Sequence, residues 1–326
     1  FEIRQGEMKL LLVSALVASA SAMINIDAIP KAAMQLKGKE LVDYVNSLGT
    51  TWTAEEPTVS HAVGLMNVKY TRHPEDTEVV YAEEPKAEVL ATIPESFDAR
   101  THWSHCSSIG RIRDQSRCGA CWAFAAAEAL SDRICIASNG AQTPELGAED
   151  LLECCGSFCG DGCEGGYPIR AWSWATSSGV VTGGGYYEKT GCKPYFNEPC
   201  GSHTVNGVTH HHDCTGLKDP ATPSCKSSCE NTAYHTAYKS DKHHAKSSYA
   251  IRQSESAIQT EIMTNGPVEA AFTVYQDFDS YKSGIYQHKS GSVLGGHAVK
   301  IIGWGVSSGT KYWLVANSWN TNWGES

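Results

Sequence analysis

Apolar residues recur at three- to four-residue spacing in CWAFAAAEALSDRICIAS, where Phe124, Ala127, Leu130 and Ile134 fall near one face. That interval is the helical period, so the pattern predicts a helix over 121–137. GAEDLLECC predicts a second, shorter helix, and YPIRAWSWATSSG a third that ends at Gly179. Between them, CCGSFCGDGCEGGYP is too rich in Gly and Cys for regular structure. Residues 183–245 are rich in Gly, Pro, His and Cys and show little periodicity. From about 267 the texture becomes strand-like: VEAAFTVY, HAVKIIGWGV and KYWLVANSW are β-branched and aromatic runs broken by glycine. Helices come first and strands later, with no internal repeat. The expected class is α+β, with a helical lobe and a sheet lobe.

The first ninety residues read differently. From Met8 the chain runs MKLLLVSALVASASA: a lysine, a short apolar core, then small residues ending Ala20-Ser21-Ala22. This is the pattern of a signal peptide over 8–22, too short to span a bilayer as a mature helix. Residues 1–7 precede that start, are expected to be translated upstream sequence, and are set aside in reasoning about the fold. Residues 23–92 contain no cysteine, carry helical stretches such as KELVDYVNSLG, and end in the linker EEPKAEVLATIPESF. After Pro94 cysteine, tryptophan, glycine and tyrosine rise together, which marks a boundary between a leader and a globular body over 93–326.

Composition narrows the function. The chain has 326 residues and a net charge of −10, with no lysine/arginine run, so nucleic acid is not an expected partner. No membrane partner is expected either. All thirteen cysteines lie between Cys106 and Cys229. Behind a signal peptide that density means a disulfide framework, and an odd count leaves one thiol over. The C-x-x-C pair Cys118 and Cys121 has three readings: a redox dithiol, half a zinc site, or a disulfide half beside a reactive thiol. A redox pair would follow a strand in a βαβ unit, and a zinc site would need a second ligand pair, so the third reading stands. Cys121 opens the expected helix, whose positive end favours thiolate. A nucleophilic cysteine needs an imidazole and a group to orient it. GGHAV supplies His297 and NSWNTNWG supplies Asn317, both on the strand-like half. Gln115 and the Cys121 N–H could bind an oxyanion. Taken singly, a histidine in a strand is an ordinary core residue and an Asn-Ser-Trp a turn; their joint occurrence carries the argument.

QSRCGACWAF, GGHAV and NSWNTNWG resemble the three signatures of papain-like cysteine proteases. IPESFDARTHWSHCSSIGRIRDQSRCGACWAF, SDRICIASNG, CEGGYP and GCKPY resemble the cathepsin B branch, and the likeness runs from about 40 to 326. The resemblance implies a papain-like two-lobe fold, with a helical left lobe, a β-barrel-like right lobe and the active-site cleft between them. It implies peptide-bond hydrolysis by Cys121, His297 as base and acid, Asn317 as orienter and Gln115 as oxyanion donor. Gly165, Gly166, Trp122 and Trp319 would line the cleft, with Trp319 shielding the Asn317–His297 bond. The implied disulfides are Cys106–Cys135, Cys118–Cys163, Cys154–Cys225, Cys155–Cys159, Cys192–Cys229 and Cys200–Cys214. Residues 23–92 become an inhibitory propeptide. Protein and peptide substrates and cystatin-like inhibitors are the expected partners of a monomer that needs no cofactor and no metal. The expected location is the secretory pathway, ending in a lysosome or outside the cell, with the gut lumen among the possibilities.

His297 lies 176 residues after Cys121, against about 130–150 in papain-type enzymes. The surplus is expected in an occluding loop over about 192–229. In cathepsin B two adjacent histidines there bind the substrate's C-terminal carboxylate. Here those positions read Ser202-His203, with His210, His211 and His212 further on. Exopeptidase activity is therefore expected to be weakened, with His203 as the surviving anchor. Ala120, Ala125 and Asn322 also depart from the usual Ser, Gly and Asp. The family continues beyond the position of Ser326 with a strand that completes the sheet lobe and lines the S2 pocket, so the sequence is expected to be incomplete there. The rival reading is an inactive homologue serving as a binding or storage protein, which labelling with a thiol-directed inhibitor would separate from an enzyme.

Overall fold

The structure is a computed structural model that describes residues 29–59, 68, 76 and 78–325, together with the backbone of Glu2–Arg4. The expected signal peptide lies outside the described residues. In chain order the elements are β1 (Glu2–Arg4), α1 (Gly38–Ser47), β2 (Trp52–Ala54), α2 (Ala87–Leu90), β3 (Phe97–Asp98), α3 (Ala99–His102), α4 (Cys121–Ala137), α5 (Ala148–Cys154), α6 (Pro168–Ser177), β4 (Gly201–Val205), β5 (Val208–His212), α7 (Glu255–Asn265), β6 (Val268–Tyr275), β7 (Tyr281–Tyr286), β8 (Val293–Ser307) and β9 (Thr310–Ala316).

The helices α4, α5 and α6 form one lobe and the long antiparallel strands β6, β8 and β9 the centre of the other. α4 lies between them and packs on both α5 and β8. The sequence pattern predicts one apolar face for α4, but the helix is buried on nearly every side. Small residues, Ala123 and Ala125 to Ala127, let neighbours approach closely. Its polar positions are also covered: Lys300 of β8 donates to Asp132 at 2.8 Å and lies 3.9 Å from Glu128. The predicted strands 268–275, 297–306 and 311–319 appear as β6, β8 and β9, because their alternate residues fill one core with Trp52, Phe278, Trp304 and Trp313.

The sheet runs β2-β7-β1-β9-β8-β3, with β6 also on β8. Among the described residues this path has two ends and does not close, which corrects the expected barrel. β6 and β3 share one edge of β8, pairing at Val268↔Ile301 and Phe97↔Trp304. The terminal strands β2 and β3 have three and two residues, too short to bridge the tilted strands of a barrel. Setting residues 1–7 aside also misses a feature: Glu2–Arg4 pairs parallel with β7 and antiparallel with β9. Two facing strand edges present unpaired backbone groups that any extended segment can satisfy.

A second difference lies in the stretch read as aperiodic. β4 and β5 form a two-stranded hairpin with Val205 opposite Val208. Its turn residues, Asn206 and Gly207, both have positive φ, 51° and 77°, which is the geometry of a type I′ hairpin. Disulfides tie the body at Cys106–Cys135, Cys118–Cys163, Cys154–Cys225, Cys155–Cys159, Cys192–Cys229 and Cys200–Cys214.

The leader is packed on the body. Leu41, Val42 and Val45 of α1 join the sheet-lobe core. β2 pairs with β7, and the Trp52 indole N–H donates to the Gln287 carbonyl at 2.8 Å. Ser290 donates to the Ala33 carbonyl at 2.6 Å, and Asp76 bonds Arg170 at 2.6 Å.

Candidate active site

Cys121 is the first residue of the seventeen-residue α4 and the one cysteine outside the disulfides. The loop before it is fixed from two sides. Cys118 is bonded to Cys163, and the Gly119 N–H donates to the Cys163 carbonyl at 2.9 Å. The start of a long helix places the Cys121 sulfur at the positive end of the backbone dipole, which favours thiolate. Cys121 is fully buried with the leader in place.

His297 sits on β8, opposite Phe272 of β6. Asn317 directly follows β9, the other neighbour of β8. The sheet register brings the two together: His297 Nε2 lies 2.7 Å from Asn317 Oδ1. The Ser318 N–H donates to the same Asn317 oxygen at 2.9 Å, which sets the amide so that its oxygen faces the ring. The Trp319 indole lies over His297 at 4.9 Å between centroids, and Trp319 is itself fully buried against Phe278 and Trp323. With Nε2 engaged, Nδ1 is the ring nitrogen left for chemistry; it has no hydrogen-bond partner among the described residues. Burial pushes the His297 imidazole down to about 4, against the opposing pull of the Asn317 bond.

Gln115 is bound to both lobes. Its Nε2 donates to the Cys118 carbonyl at 3.0 Å, and its Oε1 accepts from Ser318 Oγ at 2.6 Å. Its N–H donates to the Ser318 carbonyl at 2.9 Å, while its own carbonyl accepts from Tyr195 at 2.8 Å. The segment that carries the amide is thus pinned to the residue after Asn317, so the thiol side and the imidazole side are held in mutual register.

The glycine loop is shaped by Trp122. Its indole N–H donates to the Gly162 carbonyl at 3.1 Å, and the side chain is 1% exposed. A Cβ on Gly166 would lie 2.6 Å from that indole, so glycine is required there by close approach. Trp122, expected as a substrate contact, is placed beneath the loop as its seat. Gly165 has φ 108° and its carbonyl accepts from the Asp161 N–H at 2.7 Å.

The hairpin lies with one face on the body. His203 and His210 are directly opposed across β4 and β5, and His212 opposes Gly201. His203 Nε2 lies 3.0 Å from the Cys200 carbonyl and 3.4 Å from Asp114 Oδ2. His210 stacks on Tyr187 at 4.0 Å, and His212 lies 3.9 Å from Glu198. His211 points the other way, to Ser202 Oγ at 3.0 Å. Burial pushes the Asp114 carboxyl up to about 7 and pulls the His203 imidazole down. His203, expected as the surviving carboxylate anchor, is thus engaged with the body.

From the leader, the Val68 N–H donates to the carbonyl of Gly296, next to His297, at 3.1 Å. The Val68 side chain is buried in the core cluster that contains Cys121 and Trp122. Val68 of the leader therefore lies against the strand at His297 and in the cluster that holds Cys121. Elsewhere, carboxylate atoms of Glu149, Glu153 and Glu230 lie within 4.8 Å of one another. Ammonium groups already serve them: Lys193 bonds Glu153 at 2.5 Å and Lys226 bonds Glu230 at 2.7 Å.

Comparison with known proteins agrees with this geometry. Residues 93–326 match the papain family cysteine protease domain. The chain is 54% identical over 318 residues to the cathepsin B-like cysteine proteinase 5 of Caenorhabditis elegans, covering 95% of this chain and 89% of that protein. It is 51% identical over 322 residues to a gut-specific cysteine proteinase of the same organism, covering 98% and 92%. Among solved structures, procathepsin B S9 of Trypanosoma congolense superposes with a TM-score of 0.71 at 34% identity, covering 88% of this chain and 90% of that one. A stem bromelain precursor at 22% identity and TM-score 0.57 shares the fold. The chain belongs to the papain family of cysteine proteases, in its cathepsin B-like branch, and is a cysteine peptidase made as a proenzyme.

Proposed function

We propose that Cys121, His297, Asn317 and Gln115 are the catalytic set. The observation that carries this is the His297 Nε2–Asn317 Oδ1 contact, which leaves Nδ1 for the thiol at the start of the helix packed on the same strand. The Cys121 thiolate attacks the scissile carbonyl, and the oxyanion that forms is held by the Gln115 amide and the Cys121 N–H. His297 gives a proton to the departing amine, leaving an acyl-enzyme. It then takes a proton from water, whose oxygen attacks the thioester and releases the acid and the thiolate. Asn317 keeps the ring in the one orientation that serves both steps. Cys121→Ser removes the sulfur nucleophile with little change in volume. Peptide hydrolysis by the processed enzyme should fall by more than about a thousandfold with the fold intact. Turnover above about 1% of wild type would show that another group is the nucleophile. The rival reading, a binding or storage protein, has no support from the relatives, which are named as proteinases.

The leader acts as inhibitor by covering the catalytic pair with its own backbone at Val68. On the primed side, the register supports His210 as the imidazole that stands beside His203 in place of the missing neighbour. Both must be released from the body, Asp114 in one case and Tyr187 in the other, before they can hold a substrate carboxylate. Endopeptidase activity with a weak carboxydipeptidase component follows. A digestive setting outside the cell or in an acidic compartment is supported by the name of the gut-specific relative.

A further inference from the structure

Cys121 opens α4 and His297 sits on β8, so the reach between thiol and ring depends on where the helix lies along the strand. Much of the packing at that join is smooth. Ala123, Ala125, Ala126 and Ala127 of α4 share a core cluster with Ala298 of β8. Apolar burial is strong but has no direction. Methyl groups that face one another hold two elements together and resist sliding only weakly.

A directional contact crosses the same join. On β8, Val299 and Ile301 fill the sheet-lobe core, while Ala298 faces α4. Strand side chains alternate, so Lys300 faces α4 as well. Its ammonium donates to Asp132 Oδ2 at 2.8 Å, to the Ile109 carbonyl at 3.3 Å and to the Ser108 carbonyl at 3.4 Å. An ammonium has three N–H donors, and each meets an acceptor of the helical lobe. Lys300 is 1% exposed and Asp132 fully buried. Asp132 lies eleven residues after Cys121. That is roughly three helical turns, or about 16 Å, so both stand on one side of α4. Lys300 lies three residues after His297, about 10 Å along the strand.

Stability alone does not account for the pair. Taking two charges out of water is costly, and apolar residues of similar volume commonly hold a fold as well or better. What a buried ion pair adds is position, because it is satisfied in one register. Glu128, one turn before Asp132, lies 3.9 Å from the same ammonium. Burial lifts its carboxyl to about 7, against the pull of Lys300 and Arg113 and with the push of Asp132 and Glu145. In acid Glu128 is therefore neutral, and Lys300 is left to Asp132.

We propose that the Lys300–Asp132 bridge is a positioning device that fixes α4 along β8 and so sets the reach between the Cys121 sulfur and the His297 ring. The proposal rests on the assignment of those two residues, which Cys121→Ser tests separately in the otherwise unaltered enzyme. Reacting groups must meet at about 3–3.5 Å, and a misplacement of about 1 Å can cost about a hundredfold. A helix held only by its alanines would spend less of its time in register.

The test uses variants made as the full-length proenzyme and converted by an added aspartic protease, so that conversion does not depend on their own activity. Lys300→Met combined with Asp132→Leu removes both charges and leaves neither unpaired, so the melting temperature should stay close to wild type. Well below that temperature, kcat should fall about tenfold while KM stays within about twofold, because the substrate-binding surface is untouched. Alkylation of Cys121 by iodoacetamide should slow severalfold at pH 5–6, its rise moving towards the ordinary thiol range near pH 8.5 as the imidazolium loses its place beside the sulfur. A folded double variant with wild-type kcat and a wild-type alkylation profile overturns the proposal, since the pair then serves the fold alone. Should the double variant fail to fold, Asp132→Glu decides. It keeps the charge and lengthens the arm by one methylene, so it should lower kcat severalfold and move the alkylation profile in the same direction. An unchanged kcat and profile in Asp132→Glu overturn the proposal equally.

Discussion

His297 is under two opposed demands. Catalysis wants an imidazolium beside a thiolate, while complete burial under the leader favours the neutral ring and holds it at about 4. A lowered value means the cation is lost above about pH 4, so in the proenzyme the helix dipole alone supports thiolate between pH 4 and 7. Removing the leader wets the ring and restores its charge. Alkylation of Cys121 by iodoacetamide at pH 5–6 should therefore be at least about tenfold slower in the proenzyme than in the processed enzyme. Equal rates would show that the leader does not act through the site's electrostatics or access. Single residues were also the most legible scale: Cys121, His297 and Asn317 stand in motifs whose chemistry is local to a few positions. Trp122 was less so, because its task is set by a glycine 44 residues away in sequence. Gly166→Ala puts a Cβ 2.6 Å from that indole. It should destabilise the processed enzyme by about 1–3 kcal/mol and raise KM more than it lowers kcat. An unchanged melting temperature would remove the close-approach argument.

Among elements, the long runs were readable and the short ones were not. α4, β6, β8 and β9 have enough residues for periodicity to show. α7 has a recognisable start, with Ser254 accepting from the Ala257 N–H at 3.1 Å, but only Ile258 and Ile262, with Met263 beside them, mark its buried face. The β4–β5 hairpin was missed although Asn206-Gly207 is a strong turn signal, because the surrounding Cys, His and Gly masked the alternation. That hairpin is the element to which the proposed primed-side preference belongs. Its inward histidines each meet one group of the body. Asp114, lifted by burial, and His203, lowered by it, share a contact at 3.4 Å that a single proton can satisfy. Burial lowers the His203 imidazole from its ordinary value, so a second proton reaches the ring only in acid, and the ring can then turn to a substrate carboxylate. Matched peptides with free and amidated C-termini, compared from pH 4.5 to 7, should show a modest preference for the free acid that fades above about pH 6. His203→Ala and His210→Ala should each reduce that preference severalfold and leave cleavage of the amidated peptide nearly unchanged. A preference untouched by both substitutions would assign the anchor elsewhere.

For the molecule as a whole, the question is what keeps the leader in place, and the contacts answer it in two parts. One is apolar: α1 contributes Leu41, Val42 and Val45 to the sheet-lobe core, and this part has no dependence on charge. The other is ionic and lies along the helical lobe and near α7. Asp76 bonds Arg170, whose side chain is 7% exposed, and Glu84 bonds Arg252 at 2.7 Å. Residues 23–92 hold eleven acidic and six basic residues; which carboxylate meets which base depends on the route of the chain across both lobes. The exposed Glu84 pair is screened by water and holds little. The Asp76 pair is different, because both of its side chains are largely buried and the contact is screened far less by water. Asp76→Asn should therefore speed self-processing of the proenzyme at pH 5–6 by at least about tenfold, whereas Glu84→Gln should change it less than about twofold. Val68→Asp, which puts a charge into the cluster holding Cys121 and Trp122, should speed it further and raise the alkylation rate of Cys121 as well. The two readouts separate the contributions: if Asp76→Asn accelerates processing while alkylation stays slow, the ionic contact holds the strand's far end and Val68 alone seals the cleft. Processing at the wild-type rate in both Asp76→Asn and Val68→Asp would leave the apolar docking of α1 as the whole of the inhibition.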